Sequence, residues 1–573
     1  MVRVAHLRRF TFDLIFSVFL GTQIFRLLMG GWSNLNPHNY QWISGDNTSG
    51  YIAQLFYASD RWRFPLASNP NFGLELSTSL IYSGPPLPIA LIQKLLRIDP
   101  ELQFIGIWLL LMIVLQIFFG ILIARELGYT ILASRFAGLL FVTPFFLYRF
   151  QVHFWLTAHF LILWAFWITI RSISRSRYYT LEISSLIIIA YSINSYILVM
   201  TLIILSYPTI LAITRSNKLT SSTLKHILMV TLSIAACYFI FDFRSQKGTF
   251  FENLRMNFTG QYTEIPANLL ALINPEVGYA RDCSQGHCIF GSGPIPNYFI
   301  ENFSILNFDL GGVQGNYDAF LYLGMGILFL SLVAIYMTFA TRNSKSIFTI
   351  FRSHRLVIIY LSLISAYAIT YKVSVGSHQL DLGDPKLLRW ALSMFRASGR
   401  FMWIVAYFLI ILLLAVSIRL VKKQYLIYLL FAALLIQSFD LYPSLVDRYT
   451  ELNNFNSKSI PVSNESIKQF KTASQGKNYL IMFPPGTQKG WPELAYLAWK
   501  VGLESGMSQS SRVNGIERSR LETRIQNSIC SNSLNHKWLI AIPESEFALI
   551  SKCDLTSYRI VNFGNFFLLD KLY

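Results

Sequence analysis

The stretch Tyr40-Gln-Trp-Ile-Ser-Gly-Asp-Asn-Thr-Ser-Gly-Tyr51 holds one carboxylate, Asp46, with no Lys or Arg within ten positions on either side. An isolated acid among Gly, Ser, Asn and aromatics has two readings. Asp is a favoured N-cap, so Asp46 could cap a helix over 48–59. It could also serve as a catalytic base. A cap does not account for the other polar residues gathered in the same part of the chain, whereas a base does. These include Asp60-Arg-Trp-Arg63, which also reads as an interfacial charge cluster, Asn69-Pro-Asn71 and Glu75. Arg149 and His153 follow, with His159 six positions on. Gln314-Gly-Asn-Tyr317-Asp318 comes next, then Arg389, Arg396 and Arg400. Arg26 sits near the end of the first apolar run, where it could also snorkel to an interface. Asn47-Thr-Ser49 is an N-glycosylation sequon, which matters only in a eukaryotic lumen.

Other chemistries lack their motifs. There is no G-x-x-x-x-G-K-[ST] loop and no strand-linked G-x-G-x-x-G, so nucleotide binding is unsupported. Asp381-Leu-Gly-Asp384 does not have the spacing of a metal-holding Asp-x-Asp pair, and there is no H-E-x-x-H or haem motif. Cys283-Ser-Gln-Gly-His-Cys288 offers three metal ligands, but five-residue cysteine spacing is not a common zinc pattern.

The elements that must position these residues are membrane spans. The 573 residues are 53% hydrophobic and 14% charged, with mean hydropathy +0.44, against roughly 25% charged in a soluble domain. Apolar runs near the ~20 residues that cross hydrocarbon recur along most of the chain. The net charge of +18 sits in short loops between those runs, so it reads as positive-inside topology and not as a nucleic-acid surface. Loops around Arg3/Arg8/Arg9, Arg125/Arg135, Arg171/Arg175/Arg177, Arg215/Lys218/Lys225, Arg342/Lys345/Arg352/Arg355 and Arg419/Lys422/Lys423 are assigned to the cytoplasm. An even number of crossings must then separate each pair. This predicts about eleven helices, with Asn194-Ser-Tyr196 turning a hairpin within 180–213, an N-terminus inside and a C-terminus outside. The first uncleaved span lacks a small-x-small cleavage site.

The expected organisation is a transmembrane domain over 1–443 with long outer loops at 31–102, 244–318 and 374–399, and an extracytoplasmic soluble domain over 444–573. In that tail, Asn-Tyr-Leu-Ile-Met-Phe483 and Lys-Trp-Leu-Ile-Ala-Ile542 read as strands, and Pro492–Trp499 as a helix between them. A small α/β domain with its own core is expected. Cys237 lies in a span. The other four cysteines fall outside and pair by proximity as Cys283–Cys288 and Cys530–Cys553, which suits an oxidising compartment.

The set Gly45-Asp46, Trp62-Arg-Phe-Pro-Leu66, Arg149-x-x-x-His153 with His159, Tyr322-Leu-Gly-Met-Gly326 and Ser398-Gly-Arg-Phe-Met-Trp403 resembles the GT-C clan of polytopic membrane glycosyltransferases. More narrowly it is similar to a family of bacterial GT-C-like membrane proteins, over about 25–410. The resemblance implies a bacterial inner-membrane enzyme in which a first-loop carboxylate, here Asp46, is the base. Its partners would be membrane lipid, a polyprenyl-phosphate sugar donor and a glycan or lipid acceptor, with no nucleic acid. Arg400, Arg396 and Arg149 are the implied holders of the lipid phosphate, with His153, Tyr317 and Arg26 as further substrate-binding candidates. Donor activation lies in the phosphate ester, so no cofactor is required. Tyr82-Ser-Gly-Pro-Pro86 stands where such relatives carry an acid, which leaves a divalent metal undecided. A secondary transporter and a non-catalytic envelope-assembly protein are the alternative readings.

Overall fold

The computed structural model describes residues 2–73, 76, 79–216, 218–243, 266–274, 319–340, 355–376, 378–384, 392, 395, 397–454, 460, 462–485, 490–507 and 515–572. Its helices are α1 (Val2–Leu28), α2 (Asp46–Ser59), α3 (Leu87–Leu95), α4 (Ile105–Glu126), α5 (Ile131–Leu139), α6 (Pro144–Val152), α7 (Phe160–Arg175), α8 (Thr180–Ile193), α9 (Ser195–Ser216), α10 (Ser221–Cys237), α11 (Met325–Ala340), α12 (Arg355–Ile369), α13 (Met402–Leu420), α14 (Lys423–Asn454), α15 (Asn464–Ala473), α16 (Trp491–Val501) and α17 (Gly515–Cys530). Among the described residues, seven helical segments are long and apolar enough to cross a membrane, or eight if the bent pair α5–α6 is one span. The shorter apolar helices α8, α11 and α12 occupy three more of the expected spans. Among the described residues, length and composition by themselves reach eight crossings, and a count of eleven needs these three shorter helices as well. The fold is that of a helical polytopic membrane protein with a small C-terminal α/β domain.

Local sterics explain where the helices break. The run 133–148 reads as one span but bends by 50° between α5 and α6. Pro144 opens α6, and the residue before it, Thr143, is extended at ψ 159°, because a proline disfavours helical backbone in its predecessor. Within 180–213 the expected turn is present. Asn194 is extended (φ −162°, ψ 133°), its Oδ1 accepts Tyr196 N at 2.9 Å, and α8 and α9 pack side by side.

The central helix is α4, which is apolar all round and packs against α1, α5 and α7. It meets α5 through glycines. A Cβ on Gly120 would lie 2.8 Å from the Gly138 carbonyl oxygen, and one on Gly138 would strike Ile121. Small residues let membrane helices approach this closely. At the end of the bundle opposite residues 31–102, Asp13 is fully buried and pairs with both Arg125 and Arg135. Two of the charges read as topological markers, Arg125 and Arg135, are thus ion-paired across α1, α4 and α5.

At the other end, called here the loop end, α14 runs through Pro443 to Asn454 and leads into the tail. The tail sheet has the order β4–β3–β5–β7–β6, with β3 (Tyr479–Met482) parallel to β4 (Glu504–Ser505) and to β5 (Trp538–Pro543), and β6 (Tyr558–Phe563) and β7 (Phe566–Lys571) as an antiparallel hairpin beside β5. A separate hairpin, β1 (Lys372–Val375) with β2 (His378–Asp381), precedes it in the chain. The two strands and the helix expected in the tail are β3, β5 and α16. Cys530 and Cys553 form a disulfide, and Cys237 is a buried free thiol. One sheet face packs with α17 around Ile481, Ile525 and Ile540. The other face joins the core of the membrane part through Leu480, Leu494 and Phe72. Residues 71–73 even extend the sheet: Gly73 N donates to Ser505 O at 2.8 Å, and Ser505 N to Asn71 O at 2.9 Å.

Candidate active site at the loop end

Asp46 opens α2, with Gly45 as its N-cap. Gly45 has φ +59°, a region that costs other L-residues strain, so the chain can turn sharply into the helix there. Asp46 is therefore the first helical residue and not the cap of a helix over 48–59. The next residue fastens this turn to a distant one. Asn47, 2% exposed, accepts the Phe154 N–H on Oδ1 at 2.9 Å. Phe154 begins the 3-10 turn between α6 and α7, so Asn47 satisfies one of the orphan donors that helix starts leave. Trp155 in the same turn lies against Gly50 of α2 and Gly84, where a Cβ at either position would collide with its indole. Burial of Asn47 makes the sequon a structural element.

His153, half-buried, is the extended residue at that break (φ −140°, ψ 94°), and its N–H bonds the Arg149 carbonyl at 3.0 Å. Arg149 is fully buried. Its guanidinium lies 4.9 Å from the Tyr148 ring centroid and 5.4 Å from that of Trp403. The same Trp403 ring packs 4.3 Å from His159, whose Nδ1 is 2.9 Å from the Tyr407 hydroxyl. Arg400, 8% exposed, sits in the 3-10 turn Ser398–Phe401 that leads into α13. Its guanidinium lies 4.6 Å from the Tyr196 ring centroid, and the Tyr196 hydroxyl accepts Ala397 N at 3.0 Å. Arginines stacked on rings keep their charge and their in-plane donors while being taken out of water.

The structure thus brings Arg149, His159 and Trp403 into one cluster, with Arg400 one helical turn before Trp403. It fastens the Asp46 turn beside the His153 break. Arg26 does not join: it is exposed in the last turn of α1, as a snorkelling residue would be. Glu75, Cys283, Cys288, Tyr317, Arg389 and Arg396 lie outside the described residues, as does the side chain of Asp46. Among the described residues no group of three His, Cys, Asp or Glu is placed to hold a metal ion. Sequence reasoning missed Trp403, Tyr407, Gln116 and Tyr196 as partners. Only Trp403 carried a signal, as the last residue of the Ser398–Trp403 motif.

A second polar group lines the seam between the first loop and the tail. Lys94 Nζ donates to the Tyr57 carbonyl at 2.9 Å and lies over the Tyr57 ring; burial pushes its pKa down. Arg63 pairs with Asp60, and Glu504 of the tail is pushed up by burial, with Arg63 opposing and Asp60 adding to the rise. Further along, Lys500 pairs with Glu101 at 2.8 Å and Tyr496 donates to the same carboxylate. Burial alone would raise Glu101, but the Lys500 and Tyr496 bonds outweigh it and hold its pKa below the usual range. Trp499 Nε1 adds a bond to Ser59 Oγ at 2.8 Å.

The family model described as Domain of unknown function (DUF6311) matches residues 18–442. No curated protein matches the chain. Among solved structures, the archaeal oligosaccharyltransferase AglB from Archaeoglobus fulgidus, in complex with an inhibitory peptide and a dolichol-phosphate, is similar at 10% identity and TM-score 0.40, over 97% of this chain and 74% of that one. The Archaeoglobus fulgidus oligosaccharyltransferase in the apo form is similar at 11% identity and TM-score 0.40, over 94% and 71%.

Proposed function

The chain belongs to the DUF6311 family, and from the residues at its loop end we propose that it is an integral-membrane glycosyltransferase. It moves a sugar from a polyprenyl-phosphate-linked donor to a cell-envelope acceptor on the extracytoplasmic face. The observation that carries this reading is the fastening of the Asp46 turn to the break that bears His153, through the Asn47–Phe154 bond, with two buried guanidiniums, Arg149 and Arg400, at the same end of the bundle.

The Asp46 carboxylate takes the proton of the acceptor hydroxyl. The hydroxyl oxygen attacks the anomeric carbon, the carbon–oxygen bond to phosphate breaks, and its electron pair leaves on the lipid phosphate. General-base assistance of this kind is worth about 10²- to 10⁴-fold. Charge grows on the leaving phosphate in the transition state. Arg149 and Arg400, with Arg396 as a further candidate, stabilise it there more than in the ground state. The C-terminal domain, fixed to the first loop by the Glu101 and Trp499 contacts, positions the acceptor.

The test is sugar transfer by the purified chain in lipid nanodiscs from a polyprenyl-phosphate sugar. Asp46→Asn should abolish transfer while leaving expression and thermal unfolding unchanged. Transfer by the Asn variant at near wild-type rate would remove Asp46 from the mechanism.

A further inference from the structure

Two ring nitrogens are sealed inside the loop end with no hydrogen-bond acceptor among the described residues. His159 is fully buried and so is Trp403, their rings 4.3 Å apart and tilted by 38°. Among the described residues, neither His159 Nε2 nor Trp403 Nε1 meets a hydrogen-bond partner. Buried polar atoms are nearly always paired, so an atom of this kind marks the place of a water or a ligand.

The tautomer of His159 follows from a chain that starts on the backbone. The Phe141 carbonyl can only accept, so the Gln116 atom 2.9 Å from it is the amide nitrogen. The same amino group lies 2.8 Å from the Tyr407 oxygen and donates to it. The Thr143 hydroxyl also lies beside the Tyr407 oxygen and can donate to it, and the Tyr407 proton is then directed to His159 Nδ1, at 2.9 Å. With Nδ1 accepting, the imidazole carries its hydrogen on Nε2. Both unpaired atoms are therefore donors. The third group on the Trp403 ring, the Arg149 guanidinium at 5.4 Å, also only donates. A place bordered by donors suits a group that only accepts.

Resting on the reading of the site above, we infer that His159 Nε2–H and Trp403 Nε1–H are the neutral half of a cradle for a phosphoryl group, whose cationic half is Arg149. Tyr407 and Gln116 are positioning residues: they hold the imidazole in the tautomer that donates. The phosphoryl group can arrive on a lipid or as free phosphate, and the chemistry of the cradle is the same for both.

The experiment measures binding to the full chain in phosphatidylcholine nanodiscs, with three probes: a polyprenyl monophosphate, the uncharged polyprenol and inorganic phosphate. The polyprenyl monophosphate should bind, and Trp403→Phe, which keeps a ring and removes the N–H, should weaken it about tenfold to a hundredfold, the loss of one hydrogen bond to a charged acceptor. Polyprenol binding should not change. Displacement by inorganic phosphate that is equally sensitive to Trp403→Phe identifies a free-phosphate site, and its absence identifies the lipid headgroup. Should Trp403→Phe unfold the chain, His159 decides the matter: His159→Gln keeps a neutral donor and should retain affinity, while His159→Phe should lose it.

Tyr407→Phe should weaken phosphate binding severalfold in the wild-type background and not at all in His159→Phe. Equal losses in both backgrounds would reduce Tyr407 to packing. Unchanged phosphate affinity in Trp403→Phe and His159→Phe, or no binding of either phosphate, overturns the cradle. Binding needs no turnover, so the two readings fail separately. A fully active Asp46→Asn removes the base and leaves the cradle standing. An inactive Asp46→Asn beside an unaffected Trp403→Phe removes the cradle alone.

Discussion

Replacing Asn47 by Ala should release the break between α6 and α7 from the start of α2. Asn47 is 2% exposed, and its Oδ1 accepts the Phe154 N–H at 2.9 Å. Phe154 is itself buried, so no bulk water stands ready to replace the lost acceptor. Leaving one buried donor without a partner costs about 1–3 kcal/mol. At 1.4 kcal/mol per factor of ten, that predicts amide exchange at Phe154 roughly 5- to 150-fold faster. Hydrogen–deuterium exchange with mass spectrometry, on peptides spanning 153–158, reads this directly. Asn47→Asp keeps an accepting oxygen and should hold exchange within about threefold of wild type by the same reasoning. The contacts of Trp42 with Phe154 and of Gly50 with Trp155 survive both changes, so global unfolding should move little. If the peptide is as protected in Asn47→Ala as in the wild type, the bond does not fasten the two segments, and the argument that it holds Asp46 in register with His153 fails with it.

The seam between loop and tail should respond to acid. Glu101 has a folded-state pKa below its unfolded value, so its contribution is present above the ordinary carboxyl range and is lost as pH falls through the depressed value. Limited proteolysis should show the tail loosening below about pH 4, with Glu101→Gln already looser at neutral pH and its acid response reduced; an identical acid profile in the variant would refute the clamp. The half-exposed pair is worth about 0.2–1 kcal/mol, so the shift should be small. Gly138→Val should separate α4 from α5, since even a Cβ there meets Ile121, and should cost more in thermal stability than Gly128→Ala, whose Cβ would have ordinary contact with Ile418 at 3.7 Å and would bear only the strain of φ +97°. Arg26→Ala should leave donor binding unchanged, because the residue is exposed on α1; a raised Kd for the polyprenyl monophosphate would return it to the site.

How much of the site was legible varies by residue. Asp46, Arg149, His159 and Arg400 stand out in the sequence because ionisable groups near apolar runs cost roughly 2.5–3.5 kcal/mol each to insert, so each demands an explanation. Trp403, Tyr407 and Gln116 do not stand out, since aromatics and a lone amide are ordinary in a membrane helix. The tail shows the same division. Its strands β3 and β5 are short apolar runs that announce themselves. The β6–β7 hairpin has a mixed pattern, with Arg559 and Asn562 interrupting it, and was not expected.

What the sequence determined alone is what short-range physics controls. Apolar length sets the membrane helices, Asn194 ends α8, and the spacing of Cys530 and Cys553 allows their bond. Pro144 belongs here too: its steric rule broke α5 from α6 although the apolar run read as continuous. The tertiary structure alone decided which residues meet. Gln116, His159 and Tyr407 join across as many as 291 positions, and Asn47 meets Phe154 across 107. The physical reason lies in the helices themselves. A helix that is apolar on every side, as α4 is, has no amphipathic stripe to say which face turns inward. The choice is made only when close glycine contacts, buried ion pairs and ring packing fix each helix against its neighbours.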